Sequence, residues 1–401
     1  FKDLKGLLGL SENIHFIRTT DANHEAAAQE MWRLCDKNGY IYKKNYTVKY
    51  CVGCELEKTD SELVEGKCSI HPNRDIELIS EENYFFKFSA FQERLLKLYE
   101  ENPHFVIPDF RFNEIKSFVV RGLEDFSISR LKEKMSWGVS VPGDDAHVMY
   151  VWFDALVSYI STLGWPSNIE QFEHYWKKGT PVQYCGKDNL RQQSAMWQAM
   201  LMASGLPQSK TIVINGFLQS DGQKMSKSLG NVISPSEVVE LYGTEALRYF
   251  VIRDLSTFED SDVTMEKFKE SYNANLANGI GNLTSRIMKM AETNLPEAPQ
   301  IPEQSIPEEY ITAIESFHMQ KAADIVWKHI AALDAKIQET APFKLIKTEK
   351  EAATKIISEL AVDLYTIGRM LNPMLPETSA KIKALVKANK SPSEPLFLRK
   401  D

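Results

Sequence analysis

Val182-Gln183-Tyr184-Cys185, then Asn189 through Ser204, then Thr211-Ile212-Val213-Ile214 read as a short β-rich run, a helix-length stretch stopped by Gly205 and Pro207, and a second β-rich run. Strand, helix, strand in that order predicts a parallel unit, because a crossover of this length returns the chain to run in the same direction. Parallel sheets take their ligands beyond the carboxyl ends of their strands, and the loops Gly186-Lys187-Asp188 and Asn215-Gly216-Phe217 lie there. An α/β fold with a nucleotide site at those loops is expected. Working outward, Val148-Met149-Tyr150-Val151-Trp152-Phe153 reads as a buried strand, followed by a helix from Asp154 toward Gly164-Trp165-Pro166. Nearer the start, Asp21 is a suitable N-cap for a helix through Met31, Trp32 and Leu34 that ends at Gly39.

From about Met265 onward the pattern turns helical. Ile357, Leu360, Leu364, Ile367 and Leu371 alternate in steps of three and four, as do Val326, Ile330, Leu333 and Ile337. Two such stripes bury each other best in an antiparallel helical bundle. Pro342, Pro373 and Pro376 mark breaks between helices, Thr348 and Glu351 form an expected capping box, and the proline-rich Asn294–Pro302 stretch is a stiff connection.

A chain of 401 residues, 43% apolar and 25% charged, is long enough for two to four globular domains. It lacks any apolar run long enough to span a membrane, and Phe1-Lys2-Asp3-Leu4-Lys5 has no signal-peptide architecture, so a cytoplasmic protein with no membrane partner is expected. The opening reads as the middle of a helix, and a preceding N-terminal portion is expected. A net charge of −8 argues against indiscriminate nucleic-acid binding. A nucleic-acid partner would need a local basic patch such as Lys381, Lys383, Lys387, Lys390, Arg399 and Lys400, which reads equally well as a solvated face.

Three of the five cysteines are grouped. Cys51-x-x-Cys54 is followed after thirteen residues by Cys68-x-x-His71, two ligand pairs that can turn toward one ion. Four thiolate and imidazole donors suit tetrahedral Zn²⁺ and leave no open position, so the zinc is expected to be structural. Cys35 and Cys185 read as core. A small zinc ribbon is by itself a common nucleic-acid-binding module, a reading that covers only residues 45–80.

Lys224-Met225-Ser226-Lys227-Ser228 follows the glycine-bearing loop Gln219-Ser220-Asp221-Gly222-Gln223. Lysines three apart among small hydroxyl residues can place both charges on one polyanion, which is chemistry for holding a triphosphate. The run resembles the KMSKS loop of class I aminoacyl-tRNA synthetases. Phe16-Ile17-Arg18-Thr19-Thr20-Asp21, the zinc knuckle, Tyr150-Val151-Trp152-Phe153-Asp154-Ala155, Gly186-Lys187-Asp188 and Gly281-Asn282-Leu283-x-x-Arg286 follow methionyl-tRNA synthetase motifs in order.

The resemblance implies methionine activation by Mg²⁺-bound ATP and transfer of the acyl group to tRNA(Met). Lys224 and Lys227 then act on the phosphates as catalytic groups, and Gly186 and Asp188 hold the nucleotide. Trp152, Ala155 and Tyr159 line the methionine pocket, with Asn189 and Gln193 on the helix after Gly186-Lys187-Asp188. Those two replace an apolar residue and a histidine common in the family. Asn282, Arg286 and Phe343 match positions that read the CAU anticodon, Phe343 standing where tryptophan is usual. Cys51, Cys54, Cys68 and His71 hold the zinc. The implied fold is an α/β Rossmann-like catalytic domain in two halves, 1–45 and 126–215, split by a zinc-bearing connective insert at 46–125. The KMSKS and stem-contact region at 216–264 follows, then an α-helical anticodon-binding domain at 265–401.

No H-x-G-H string occurs, which the class carries near the start of its catalytic domain, so this polypeptide alone is expected to activate methionine poorly or not at all. Two other readings stand beside this one. Another class I synthetase of the leucyl, isoleucyl or valyl type usually inserts a much larger editing domain. A noncatalytic tRNA-binding fragment, or one half of a split enzyme, would retain the bundle and the lysine loop.

Overall fold

The run Thr211-Ile212-Val213-Ile214 is β-branched throughout, and in the computed structural model it forms the strand Thr211–Asn215. Among the described residues this strand lies between Val182–Gly186 and Val106–Ile107. Its pairing with the latter is parallel, with Ile212 opposite Val106 and Val213 opposite Ile107. Ile212, Val213 and Ile214 are fully buried, as a strand covered on both faces requires. The structure describes all residues except 1, 54–55, 59–62, 69–70, 221, 226–230 and 304–305, and the backbone alone at 46, 48, 56, 57, 79, 80 and 224. The chain divides into two units, His15–Ile214 and a second formed by Phe1–Ile14 with Asn215–Asp401.

In the first unit, the connection from Val182–Gly186 to Thr211–Asn215 runs through the single turn Lys187–Asn189, a π-helical turn Gln192–Met196 and the helix Trp197–Ser204. Every residue of that last helix is buried, and Gly205 ends it at φ 75°. The helix Ala22–Lys37 turns Ala27, Ala28, Met31, Trp32 and Cys35 into the same core, a spacing of three and four that makes one apolar stripe. Asp21 stands at its N-cap with extended backbone, but its carboxylate accepts from the Arg18 N–H and bonds no helical N–H. Gly39 turns the chain out at φ 78°.

The stretch beyond carries a long antiparallel ladder. Ile41–Cys51 pairs with Glu77–Phe86 from Ile41 opposite Phe86 to Tyr50 opposite Glu77, with Leu56–Lys58 and Phe126–Ser127 on the outer sides. The helices Gln92–Glu101 and Asp109–Val120 flank the strand Val106–Ile107. Their buried residues Leu95, Tyr99, Ile115 and Val119 share one core with the helix Ala22–Lys37 and with Ile212.

The apolar run at 148–153 is not one strand. The strand Asp144–Met149 ends there, Tyr150 is extended, and Val151–Ala155 is helical. A short apolar run has no period long enough to separate strand from helix, and half-exposed Val151 marks the change of element.

In the second unit, Leu218–Ser220 pairs antiparallel with Gln223–Lys224 and parallel with Ser261–Asp262. Gly222 makes the turn at φ 69°. Just before it, a Cβ at Gly216 would lie 2.0 Å from the Glu259 carbonyl oxygen, so only glycine fits. The rest is a helical C-terminal region in which Asn282–Asn294, Met319–Thr340 and Pro376–Ala388 all pack on Lys350–Leu371. Both expected stripes are buried, and each such side chain stabilises by about 1.5–3 kcal/mol relative to exposure. The capping box is absent. The helix begins at Lys350 after Glu349, and the Thr348 hydroxyl donates to the Leu345 carbonyl, closing the preceding turn. No helix among the described residues is long and apolar enough to cross a membrane.

Candidate functional site

The segment from Tyr150 to Ser161 is fastened from behind. Trp152 and Ala155, on the helix Val151–Ala155, and Tyr159, on the turn Ser158–Ser161, are partly exposed. Phe153 and Asp154 face inward. Phe153 meets the Trp32 ring edge-on at 5.5 Å, and the Asp154 carboxylate lies 2.7 Å from His24 Nε2. The other nitrogen of His24, Nδ1, is 2.9 Å from Ser161 Oγ, and Asn23 donates to the Ser161 carbonyl at 3.0 Å. Two neighbours at the start of the helix Ala22–Lys37 thus hold both ends of the segment. A serine, histidine and aspartate in this order invite comparison with a hydrolase triad. His24 and Ser161 have no exposed surface, so no substrate reaches the hydroxyl and the arrangement is structural.

Beyond the strand Val182–Gly186, Gly186 precedes the turn Lys187–Asn189 with extended backbone, and Asp188 is exposed. The Asp188 carboxylate accepts from the Asn189 amide at 3.2 Å and is open to a ligand. Asn189 and Gln193 take different partners. Asn189 turns to Asp188, while Gln193 is buried and its Oε1 accepts from Gln183 Nε2 at 2.9 Å. Burial raises the pKa of Tyr159, nearby Cys185 adds to the rise, and hydrogen bonds from the Gln183 and Gln193 amides pull the other way. Cys35 is fully buried; Cys185 is only partly so, and burial, reinforced by Asp188, pushes its thiol up to about 12.

The lysine loop belongs to the other unit. The Lys224 backbone closes the hairpin opposite Gln219, the turn is pinned by Gly222 N–H donating to Asp262 at 2.9 Å, and Met225 packs on the apolar core. The side chain of Lys224 and the whole of Lys227 lie outside the described residues.

Of the four expected zinc ligands, Cys51, Cys68 and His71 come together, their donor atoms all within 4.8 Å of one another. His71 Nδ1 is 3.8 Å from Cys51 Sγ and 4.0 Å from Cys68 Sγ. Donors around one tetrahedral Zn²⁺ stand roughly 3.5–3.8 Å apart, so both His71 distances lie near the spacing such an ion sets. Cys51 ends the long strand Ile41–Cys51, and Cys68 closes the hairpin of Leu63–Val64 with Lys67–Cys68. Gly53 makes room for the imidazole, since a Cβ there would lie 2.6 Å from the ring. Cys54 lies outside the described residues.

In the helical region Asn282 is exposed at the start of Asn282–Asn294, with Arg286 one turn further on. Arg286 and Phe343 line one cavity of about 700 Å³ together with Lys289 and Met290. Phe343 is 46% exposed, far more than a core ring would be. The Arg286 guanidinium is held by Asp334 at 2.5 Å, a partner the sequence motif does not name.

Over residues 8–75 and 52–288 the sequence matches the family model described as tRNA synthetases class I (M). It is 38% identical over 397 residues to a methionine–tRNA ligase of Caldanaerobacter subterraneus, covering 95% of this chain and 61% of that protein. A Brucella suis methionine–tRNA ligase is 37% identical, with 93% of this chain and 75% of the relative covered. The fold superposes on Mycobacterium tuberculosis methionyl-tRNA synthetase in complex with methionyl-adenylate. The TM-score is 0.87 at 30% identity, covering 100% of this chain and 85% of the other. The chain thus belongs to the class I tRNA synthetases as a family, with an α/β fold and a helical C-terminal region. Within that class it belongs to the methionyl-tRNA synthetase family. The chain spans about three fifths of the length of several of these relatives.

Proposed function

We propose that the protein acts as a methionine–tRNA ligase. In the first step a methionine carboxylate oxygen attacks the α-phosphorus of Mg²⁺-bound ATP, forming methionyl-adenylate and releasing pyrophosphate. In the second the 3′-terminal ribose hydroxyl of tRNA(Met) attacks the acyl carbon and AMP leaves. Neither step needs an enzyme nucleophile, so the residues position and neutralise charge. Lys224 and Lys227 take the phosphates. Asp188, exposed after Gly186, accepts from the ribose hydroxyls. Trp152 and Ala155 give an aromatic wall and a small floor to a flexible thioether, with Tyr159 and Gln193 at its polar end and Asn189 at the rim.

The single observation that carries this reading is the fastened segment that leaves Trp152, Ala155 and Tyr159 partly exposed together, within a chain of this family. Arg286 and Phe343, brought to one cavity with Asn282 a turn away, supply a guanidinium and a stacking ring for the unpaired anticodon bases. Cys51, Cys54, Cys68 and His71 would hold Zn²⁺ as a structural cross-link of the insert, with no part in the chemistry. ATP–pyrophosphate exchange with methionine, leucine and homocysteine, followed by charging of tRNA(Met), tests the proposal when measured on the full-length protein. Exchange driven by leucine above methionine would overturn it.

A further inference from the structure

We propose that Arg248 and Thr244 are positioning residues for the lysine hairpin, acting through the strap at 7–10 that lines an apolar cavity with it. Their role rests on the ligase reading and goes beyond it to what sets the place of a phosphate-binding element.

The strap leaves the short helix Leu4–Leu7, and a helix end leaves its last carbonyls without intrahelical partners. Gly9, at φ 59°, turns the chain so that the Leu10 N–H reaches the Lys5 carbonyl at 2.9 Å. The next two carbonyls are satisfied from the helix Thr244–Tyr249. The Thr244 hydroxyl donates to the Leu7 carbonyl at 2.8 Å, and Arg248 Nη1 donates to the Leu8 carbonyl at 3.3 Å. Arg248 is itself held from the helical region. Its Nε donates to the Met374 carbonyl at 2.9 Å and its Nη2 to the Pro373 carbonyl at 3.1 Å, in the turn between Lys350–Leu371 and Pro376–Ala388. A planar guanidinium engaged through all three nitrogens has its direction fixed, so the strap hangs on a rigid fork.

Leu8, Leu10, Leu247 and Arg248 line one cavity of about 370 Å³ together with Leu218 and Met225. Leu218 opens the first strand of the hairpin, and Met225 directly follows Lys224 at the end of the second. An element packed closely on all sides keeps its place by many contacts, whereas one beside unfilled volume depends on the few walls it touches. Freed from Thr244 and Arg248, the strap leucines have room to move, and Leu218 and Met225 lose a fixed wall. A lysine that neutralises phosphoryl charge acts only when correctly placed, and a shift of about 1 Å can cost up to about a hundredfold in rate. Glu245, on the same helix, separates this role from plain attachment. Its carboxylate accepts from the Glu377 N–H at 2.7 Å and the Thr378 N–H at 3.0 Å, so it ties the helix to the helical region and not to the strap.

The test measures methionine-dependent ATP–pyrophosphate exchange in the full-length protein and in its Arg248→Met, Thr244→Val and Glu245→Gln variants, at a temperature where each is folded. Arg248→Met is expected to lower kcat about tenfold and Thr244→Val about threefold, both with the KM for methionine within about twofold. Glu245→Gln is expected to leave kcat within about twofold. Unchanged kcat in both strap variants would overturn the positioning role, and so would a loss in Glu245→Gln equal to that in Arg248→Met. Should Arg248→Met fail to fold, Thr244→Val against Glu245→Gln decides. Each of these results leaves the ligase reading standing. A full-length native protein without methionine-dependent exchange overturns the ligase reading and the positioning role with it.

Discussion

Replacing His24 by alanine should open the first unit far more than replacing either hydrogen-bonded neighbour by a close relative. His24 is fully buried, and its two ring nitrogens lie 2.7 Å from Asp154 Oδ1 and 2.9 Å from Ser161 Oγ. Taking the ring away leaves a carboxylate whose side chain is only 11% exposed without that donor. Leaving a buried carboxylate without its hydrogen-bond donor costs about 3 kcal/mol or more. Ser161→Ala removes one neutral bond and costs about 1 kcal/mol, and Asp154→Asn keeps an acceptor oxygen in place. Cys35 offers a local reporter. It lies on the same helix with no exposed surface, its thiol held far above the ordinary range first by burial and then by Asp36. Pulsed alkylation, with the Cys35 peptide followed by mass, then reads the opening of this unit alone. At about 1.4 kcal/mol per tenfold, His24→Ala should speed labelling roughly a hundredfold or more, and Ser161→Ala about fivefold. A change under about tenfold for His24→Ala, or equal changes for the two variants, would refute the reasoning.

Elemental analysis should find about one zinc per chain, and Cys51→Ser or His71→Ala should lose it; full retention in both would rule out the proposed ligand set. The Asp144 carboxyl is held well below the usual carboxylate range, first by the Lys43 ammonium and further by Tyr84, the Ala146 N–H and His147, with burial opposing them. A depressed folded pKa stabilises above the unfolded value, near about 4, and that gain is lost as the pH falls through the lower folded value. Unfolding midpoints should therefore favour the native protein over Asp144→Asn at pH 6, with the gap narrowing below about pH 4. In the full-length protein Arg286→Gln should lower kcat/KM for tRNA(Met) charging by about tenfold or more with methionine-dependent pyrophosphate exchange unchanged; a parallel loss of exchange would count against an anticodon role.

What could be read in the sequence was what repeats or is tightly spaced. The stripe from Ile357 to Leu371 covers several helical turns, enough to declare its period, and every member is buried. The spacing of Cys51, Cys68 and His71 is local, and their donors converge. Short elements were not legible. Val106–Ile107 pairs only two residues with the Thr211–Asn215 strand, too few to show any pattern. Thr348 had both a helix to cap and a turn to close, and the nearer carbonyl of Leu345 won. The Gln183–Gln193 contact has no signature, since amide side chains at such spacings are common and only the fold shows that they meet. His24 was silent for the same reason, its partners lying 130 and 137 residues away.

The two glycines flanking the Leu218–Ser220 strand are bound by different rules, and sequence drift in this family should treat them differently. Gly222 has positive φ with open space around its α-carbon among the described residues, so an asparagine, tolerant of that backbone, is an available substitute. Gly216 has no unusual φ to satisfy. Its α-carbon lies against the backbone of Glu259 and Asp260, and even a methyl group must push that segment away. One position is constrained by conformation and admits a cousin; the other is constrained by volume and admits none.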